Sequence, residues 1–206
     1  MTLKLDQLLS AIRACRVCRD EPRYGAALPH EPRPVLQVSR SAHICIASQA
    51  PGARVHASGR PYTDPSGVRL KSWMGLDDAT FYDSRKIAII GMGFCFPGND
   101  AQGGDLPPRK ECAELWRNRL FEQLPNLQLL ILIGQYAQRW HLGSKQTAEG
   151  VTGTVRRWRE VYETGEGPKR LPLPHPSWRN TGWLKRNPWF ERELVPILRA
   201  DVAELV

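Results

Sequence analysis

Of the five cysteines in this chain of 206 residues, four fall in a pattern that can do chemistry. Cys15 and Cys18 form a C-x2-C pair near the start, and Cys95 and Cys112 follow mid-chain as C-x16-C. Two pairs drawn from distant sequence can supply four thiolates to one soft acceptor, either tetrahedral zinc or a 4Fe-4S cluster. Arg13, Arg16 and Arg19 flank the first pair, and positive neighbours favour the thiolate form. Four unrelated buried thiols are the plain alternative. Cys45 sits inside an apolar run, where a core thiol is expected.

Other chemically capable residues stand where apolar runs end. One run closes in Ser48-Gln49-Ala50-Pro51-Gly52 and leads into ARVHASGRPYTDPSG, which carries His56, Tyr62 and Asp64. A second passes into Phe94-Cys95-Phe96-Pro97-Gly98-Asn99, and a third into His175-Pro176-Ser177-Trp178-Arg179-Asn180. Each is weak alone. A single histidine at a strand end is usually a hydrogen-bonded surface residue, and an aspartate in T-D-P-S-G can be a turn residue and no more. Tyr62 could equally be a core aromatic, and Gly52, Gly59 and Gly67 could serve turns alone.

These segments need elements to bring them together. Residues 43–49 (HICIASQ) form a short β-branched run closed by Pro51-Gly52, a buried strand emptying into a loop. Further strands are expected from Lys86 (KIAIIGMGF), Leu127 (LQLLILIG) and Lys169 (KRLPLPHPS). Before them, Leu3, Leu8, Leu9 and Ile12 keep near-helical spacing, so an amphipathic helix delivers the first cysteine pair, and a Pro-rich stretch follows over residues 21–38. Helices are expected over 68–74, 108–124, 135–141 and 154–162, and from 188 onward with Asn187 as N-cap and Pro188 at the first helical position. Pro196 should kink or split the last of these. Strands alternating with helices imply a parallel sheet covered on both faces, with ligands bound beyond the carboxyl ends of the strands.

Composition narrows the class. One core, and so one domain over residues 1–206, suits this length. No stretch approaches the apolar length of a membrane span, and the first residues lack a signal-peptide pattern, so a soluble, cytoplasmic protein with reduced thiols is expected. The formal charge of +8 favours a polyanionic partner. Between Arg156 and Arg199, basic residues alternate with Trp158, Trp178, Trp183 and Trp189. Cations neutralise phosphates while indoles stack on bases, although at least two of these tryptophans should be core residues. No obligate protein partner is inferred.

From about Leu9 to Leu198 the chain resembles the uracil-DNA glycosylase superfamily, nearest its iron-sulfur branches, family 4 and family 5. The family 4 motif GEAPGxxEDxxGRPFVGxAG aligns without a gap to SQAPGARVHASGRPYTDPSG. Its KCRPPGNR segment is similar to FCFPGND around Cys95, with a further cysteine at the distance of Cys112, and its HPxxxxRNP element is met by HPSWRN. NTGWLKRNPWF resembles the DNA-wedging loop of the single-strand-selective branch. The resemblance implies a three-layer α/β/α sandwich on a central four-stranded parallel sheet. It also implies a 4Fe-4S cluster on Cys15, Cys18, Cys95 and Cys112 in preference to zinc, and uracil-containing DNA as the partner.

The implied activity is base excision: a nucleotide is extruded from the stack, because its glycosidic bond cannot be reached within a duplex, and that bond is hydrolysed. Charge then develops on sugar and base, so a carboxylate or positioned water is needed near the sugar and hydrogen-bond donors near the base. By resemblance Asp64 serves the sugar, with His56 second, and His175 serves the base. Tyr62, at the family's Phe position, stacks on the extruded base, Ala50, Pro51 and Gly52 border its edge, and Asn99 orients the water. Ser177 binds a phosphate, and Trp178 or Arg179, beside Asn180, fills the vacated stack. Two departures stand out. Gln49 replaces the family 4 motif acid, and Ala50 stands at the position of the family 1 water-activating acid. An amide holds a water but cannot take its proton. Gly91 stands where the family carries a base-reading Asn, which implies altered or broader base choice. A protein that binds lesions without turnover, or traps the sugar covalently through His56 or His175, is the alternative; a zinc-stabilised RNA-binding module is a third reading.

Overall fold

The computed structural model describes residues 4–163 and 167–206. Four β-strands form one parallel sheet: β1 (Ile44–Ser48), β2 (Ile87–Gly91), β3 (Leu129–Ile133) and β4 (Lys169–Leu173), in the order β2-β1-β3-β4. All four lie where the apolar runs predict them, and the sheet carries helices on both faces, as the sandwich expectation requires. The strands read as nearly unbroken apolar runs because both faces of the sheet are covered.

The pleat divides those runs between two cores. Ile44, Ile46, Ile87, Ile89, Leu129, Ile131 and Leu171 point to one side, where they meet Leu70, Trp73, Phe81, Phe190 and Leu198. Cys45, Ala47, Ala88, Ile90, Leu130 and Leu132 point to the other and meet Leu8, Ile12, Phe94, Cys112 and Leu120. Cys45 is fully buried, and desolvation pushes its thiol up to about 12, so it is the core thiol its apolar setting predicts.

On the Cys45 side lie α1 (Leu5–Arg13), α6 (Lys110–Phe121) and α7 (Gly134–Gln146), joined at the cysteine end by the short α2 (Val17–Asp20). On the other side lie α4 (Pro65–Met74), α8 (Gly150–Arg156), α9 (Trp158–Glu163) and α11 (Val195–Leu205). The short α3 (Ala53–Ser58), α5 (Asp78–Phe81) and α10 (Thr181–Arg186) occupy connections. Helix α1 presents Leu8 and Ile12 inward as its spacing predicts, whereas Leu3 lies outside the described residues.

Two helical expectations change. The helix expected over 154–162 breaks at Arg157, which caps α8 and donates to the Gln146 carbonyl at 2.9 Å, and Trp158 beyond the break is buried. Asn187 does not act as an N-cap: it closes α10, its amide donating to the Trp183 carbonyl at 2.9 Å and its carbonyl oxygen accepting from the Trp189 indole at 3.2 Å. Pro196, expected to kink or split the last helix, marks a change of winding in it. It sits in the first turn of α11 behind a π-helical stretch, Phe190–Leu194, whose wider winding accommodates a residue that lacks a backbone donor and crowds the preceding turn.

Candidate active site

The carboxyl ends of β1, β2 and β4 open into a cleft. Its lining includes Ser48, Ala50, Pro51, Gly52, Tyr62, Asp64, Gly91, Asp105 and His175. Tyr62 and His175, 113 positions apart in sequence, therefore meet at one cavity. Buried strands carry the chain to this edge and the irregular segments beyond them supply the polar groups, as in other open parallel sheets.

Each side chain is held by its own local device. Asp64 is the N-cap of α4: its Oδ1 accepts from the Gly67 amide at 3.2 Å and from the Ser66 hydroxyl at 2.6 Å, with Pro65 in the first turn. Tyr62 adopts φ +56°, a left-handed conformation that is costly for an aromatic residue. The turn is fixed around it. The Tyr82 hydroxyl donates to the carbonyls of Pro61 and Tyr62 at 3.0 and 3.2 Å, Arg60 lies 3.4 Å over the Tyr82 ring, and a Cβ on Gly67 would overlap the Tyr62 carbonyl. The buried Tyr62 ring meets Phe81 edge-on, and its hydroxyl, near Ser48, makes no well-formed hydrogen bond. Desolvation raises its pKa, so it remains a neutral phenol.

His175 owes its tautomer to the chain that follows it. The Ser177 amide donates to Nδ1 at 3.2 Å, which leaves Nε2 to carry the proton of the neutral ring. Burial lowers the His175 pKa, with Asp64 and Asp105 opposing, so the ring is neutral near pH 7 and Nε2–H is a donor. Asn180 donates to the His175 carbonyl at 2.7 Å, and the Ser177 hydroxyl caps the 3-10 turn at Trp178–Asn180 by accepting from the Arg179 amide at 3.2 Å. Arg69, which the sequence reading did not single out, ties this turn to α4 by donating to the Ser177 carbonyl at 2.8 Å and the Thr181 hydroxyl at 3.1 Å. Within the turn, Trp178 is 70% exposed with Arg179 beside its ring, whereas Trp158 is buried and Trp183 and Trp189 pack on the core.

The remaining candidates fall elsewhere. Gln49 does not line the cleft; its carbonyl accepts from the Gly93 amide at 3.0 Å. His56, also outside the lining, packs its ring 4.5 Å from His30 and 5.9 Å from Phe96. Asn99 reaches the cleft only through Asp105, donating to its Oδ1 at 3.3 Å. Gly91 lines the cleft, but a Cβ there would lie 2.6 Å from the Gly93 carbonyl oxygen, so this backbone has no room for a base-reading side chain.

Two contributors carry no recognisable sequence signal. Asp105 lies in an irregular loop, in G-G-D-L-P-P, and burial raises its pKa. Arg117 is fully buried on α6 and donates to the Ile90 and Gly91 carbonyls at 3.0 and 2.7 Å, bracing the strand end under the cleft. It also bonds His141, whose pKa is pushed down to about 3 by burial and then by the guanidinium.

A second, smaller cavity lies on the far side of Gly93, which lines both. Cys15, Cys18, Cys95 and Cys112 all face it, with Leu28, Arg109 and Trp116 among the other lining residues. The Phe94 amide donates to the Cys112 sulfur at 3.3 Å, and burial raises the thiols of Cys18, Cys95 and Cys112, the second to about 12. This donor set, four thiols around one apolar space with an N–H aimed at sulfur, fits a thiolate-ligated group. Among the described residues no group of three or more His, Cys, Asp or Glu is arranged to hold a single ion. None of their helices is long and apolar enough to cross a membrane.

The profile of the Uracil DNA glycosylase superfamily matches residues 37–199, which include all four strands and the cleft turns but not the first cysteine pair. Among solved structures, a candidate uracil DNA glycosylase from Methanosarcina acetivorans, determined by NMR in solution, superposes with a TM-score of 0.50. It is 15% identical, over 82% of this chain and 96% of that one, a likeness of fold. With one family profile spanning the sheet and every turn that lines the cleft, the chain belongs to the uracil DNA glycosylase superfamily.

Proposed function

We propose that the protein is a DNA repair glycosylase that hydrolyses the N-glycosidic bond of uracil, and of other deaminated bases, in DNA. The carrying observation is the convergence on one cleft of Tyr62 and Asp64, from the segment after β1, and His175, from the segment after β4. An extruded base stacks on Tyr62. His175 Nε2–H donates to the base oxygen as negative charge builds there, and the Asp64 carboxylate faces the positive charge on the sugar. Backbone amides of the Ala50–Gly52 turn border the base edge. With no side chain at Gly91 to discriminate among bases, uracil, hypoxanthine and xanthine all become candidates. Trp178, exposed on the rim, enters the gap in the stack, and Arg179 and the Ser177 turn meet the phosphate backbone.

The four-thiol cavity is the place for the 4Fe-4S cluster in this reading. Cys15, Cys18, Cys95 and Cys112 would hold it, and its contribution would be structural, tying α2 to the loop after β2 and to α6. Zinc on the same thiols is the alternative; a brown preparation with broad visible absorption supports the cluster, and a colourless protein with stoichiometric zinc overturns it.

The activity is tested with end-labelled single- and double-stranded oligonucleotides carrying uracil, hypoxanthine or xanthine, treated with alkali after incubation. Strand breaks at the modified base are expected from the parent protein, and His175→Ala should slow their formation roughly 100-fold. No product from any substrate rejects the enzyme. Salt-sensitive retention of the same DNA without product would instead favour a lesion-binding protein, the reading that Gln49 and Ala50 leave open.

A further inference from the structure

We infer that Asp105 is the group that takes the proton from the attacking water, in place of the acid missing from the Gln49–Ala50 turn. The inference rests on the glycosylase reading and names a residue that its motifs do not supply. Asp105 lines the cleft with Asp64 and His175. Its Oδ2 lies 3.2 Å from where a Cβ on Gly52 would stand, so a carboxylate from the loop after β2 is laid across the very turn that lacks its own. Gly52 has φ −82° and ψ 175°, a conformation open to any residue. The close approach of Asp105, not the backbone angle, is what disfavours a side chain there.

The loop that delivers this carboxylate is built to hold it. Asn99 and Asp105 form an antiparallel bridge, Leu106 donates to the Gly98 carbonyl at 2.9 Å, and the Asn99 amide reaches Asp105 Oδ1 at 3.3 Å. Asp100 closes the tip by accepting from the Gln102 and Gly104 amides at 2.9 and 2.7 Å. Among the described residues each of the two carboxylates keeps an Oδ2 without a hydrogen-bond donor; Asp64 spends its Oδ1 on two bonds at the start of α4, and Asp105 spends its Oδ1 on the Asn99 amide alone. Desolvation holds the basicity of Asp105 above that of an ordinary carboxylate; of its titratable neighbours, Arg179 and the protonated form of His175 favour the ionised carboxylate, as does the Asn99 hydrogen bond, and Asp64 opposes it.

In the step, the bond between C1′ and the base nitrogen breaks and its electron pair leaves with the base, whose developing charge His175 meets. The water oxygen bonds C1′, and one of its protons passes to Asp105. The products are an abasic sugar with a 1′-hydroxyl, the base anion, and a protonated Asp105 that returns its proton to solvent.

Single-turnover cleavage of uracil-DNA and equilibrium binding of the same duplex, measured across pH 4.5–8 for parent, Asp105→Asn and Gly52→Ala, test this assignment. Asp105→Asn is expected to slow cleavage roughly 100-fold or more, to hold DNA affinity within about 3-fold, and to lose the acid-side fall in rate. Gly52→Ala should lower the rate by displacing the carboxylate while keeping the acid limb. Asp105→Asn cleaving at the parent rate, or losing affinity in step with rate, overturns the assignment alone. A parent inactive on every modified base overturns the glycosylase reading together with it.

Discussion

The two cavities on either side of Gly93 are built in opposite ways. The thiol cavity gathers four residues of one chemical type in an apolar lining, and its members announce themselves as cysteines. The cleft at the strand ends gathers a phenol, two carboxylates and an imidazole, each held by a different device and none rare enough to stand out alone. Yet the same loop serves both. It passes Phe94 and Cys95 to the thiols, then turns back through the Asn99–Asp105 bridge to place Asp105 in the cleft. A group bound by the thiols would therefore position the cleft residue Asp105 as well as stabilise the fold.

The largest expected effect tests that dependence. With the proposed cluster on the four thiols, Cys112→Ser should abolish its colour and iron, lower thermal stability by several kcal/mol, and reduce the proposed cleavage activity with them, since binding energy at a structural metal site is folding energy. Iron content, melting temperature and cleavage rate measured together check it. Full activity in a colourless, iron-free variant would separate the cavities.

Asp64 gives a smaller effect of a different kind. Its N-cap role predicts that Asp64→Ala lowers stability by about 1 kcal/mol, whereas Asp64→Asn, which can still cap, leaves denaturant unfolding nearly unchanged. Both should lose cleavage rate, so the pair divides capping from charge. Parent-rate cleavage by Asp64→Asn would remove Asp64 from the chemistry.

The smallest effect concerns stability and pH. Burial raises the Asp105 pKa above its value in the unfolded chain, so the folded state binds that proton more tightly. The resulting stability is present below the unfolded value, about 3.9, and is lost as pH rises through the higher folded value. At pH 7 the ionised carboxylate is a liability that Asp105→Asn removes. The variant should melt slightly above the parent at pH 7, and the gap should close toward about pH 3. A lower melting temperature at pH 7 would show that Asp105 mainly holds its loop.

All four strands were legible because a strand buried on both faces needs a local run of apolar, β-branched residues, and that run is visible wherever it occurs. Cys15, Cys18, Cys95 and Cys112 stood out by type and spacing, whereas the turn residues from Ala50 to Asp64 stood out only through their resemblance to the family 4 motif. Helix ends were less legible: Arg157 breaks one predicted helix by reaching back to the Gln146 carbonyl, and Asn187 closes a helix instead of opening one because its side-chain amide bonds the Trp183 carbonyl one turn before it.

What the amino-acid order determined by itself was thus the sheet, the thiol set and the identity of the turns. Only the tertiary structure decided which of several plausible polar groups face the cleft. It admits Asp105, turns His56 onto His30 and Phe96, and leaves Trp178 exposed while three other tryptophans pack inward. Hydrophobic periodicity is a property of neighbouring residues. The direction of a loop side chain depends on hydrogen bonds and packing to residues far away in sequence, and no local pattern encodes those.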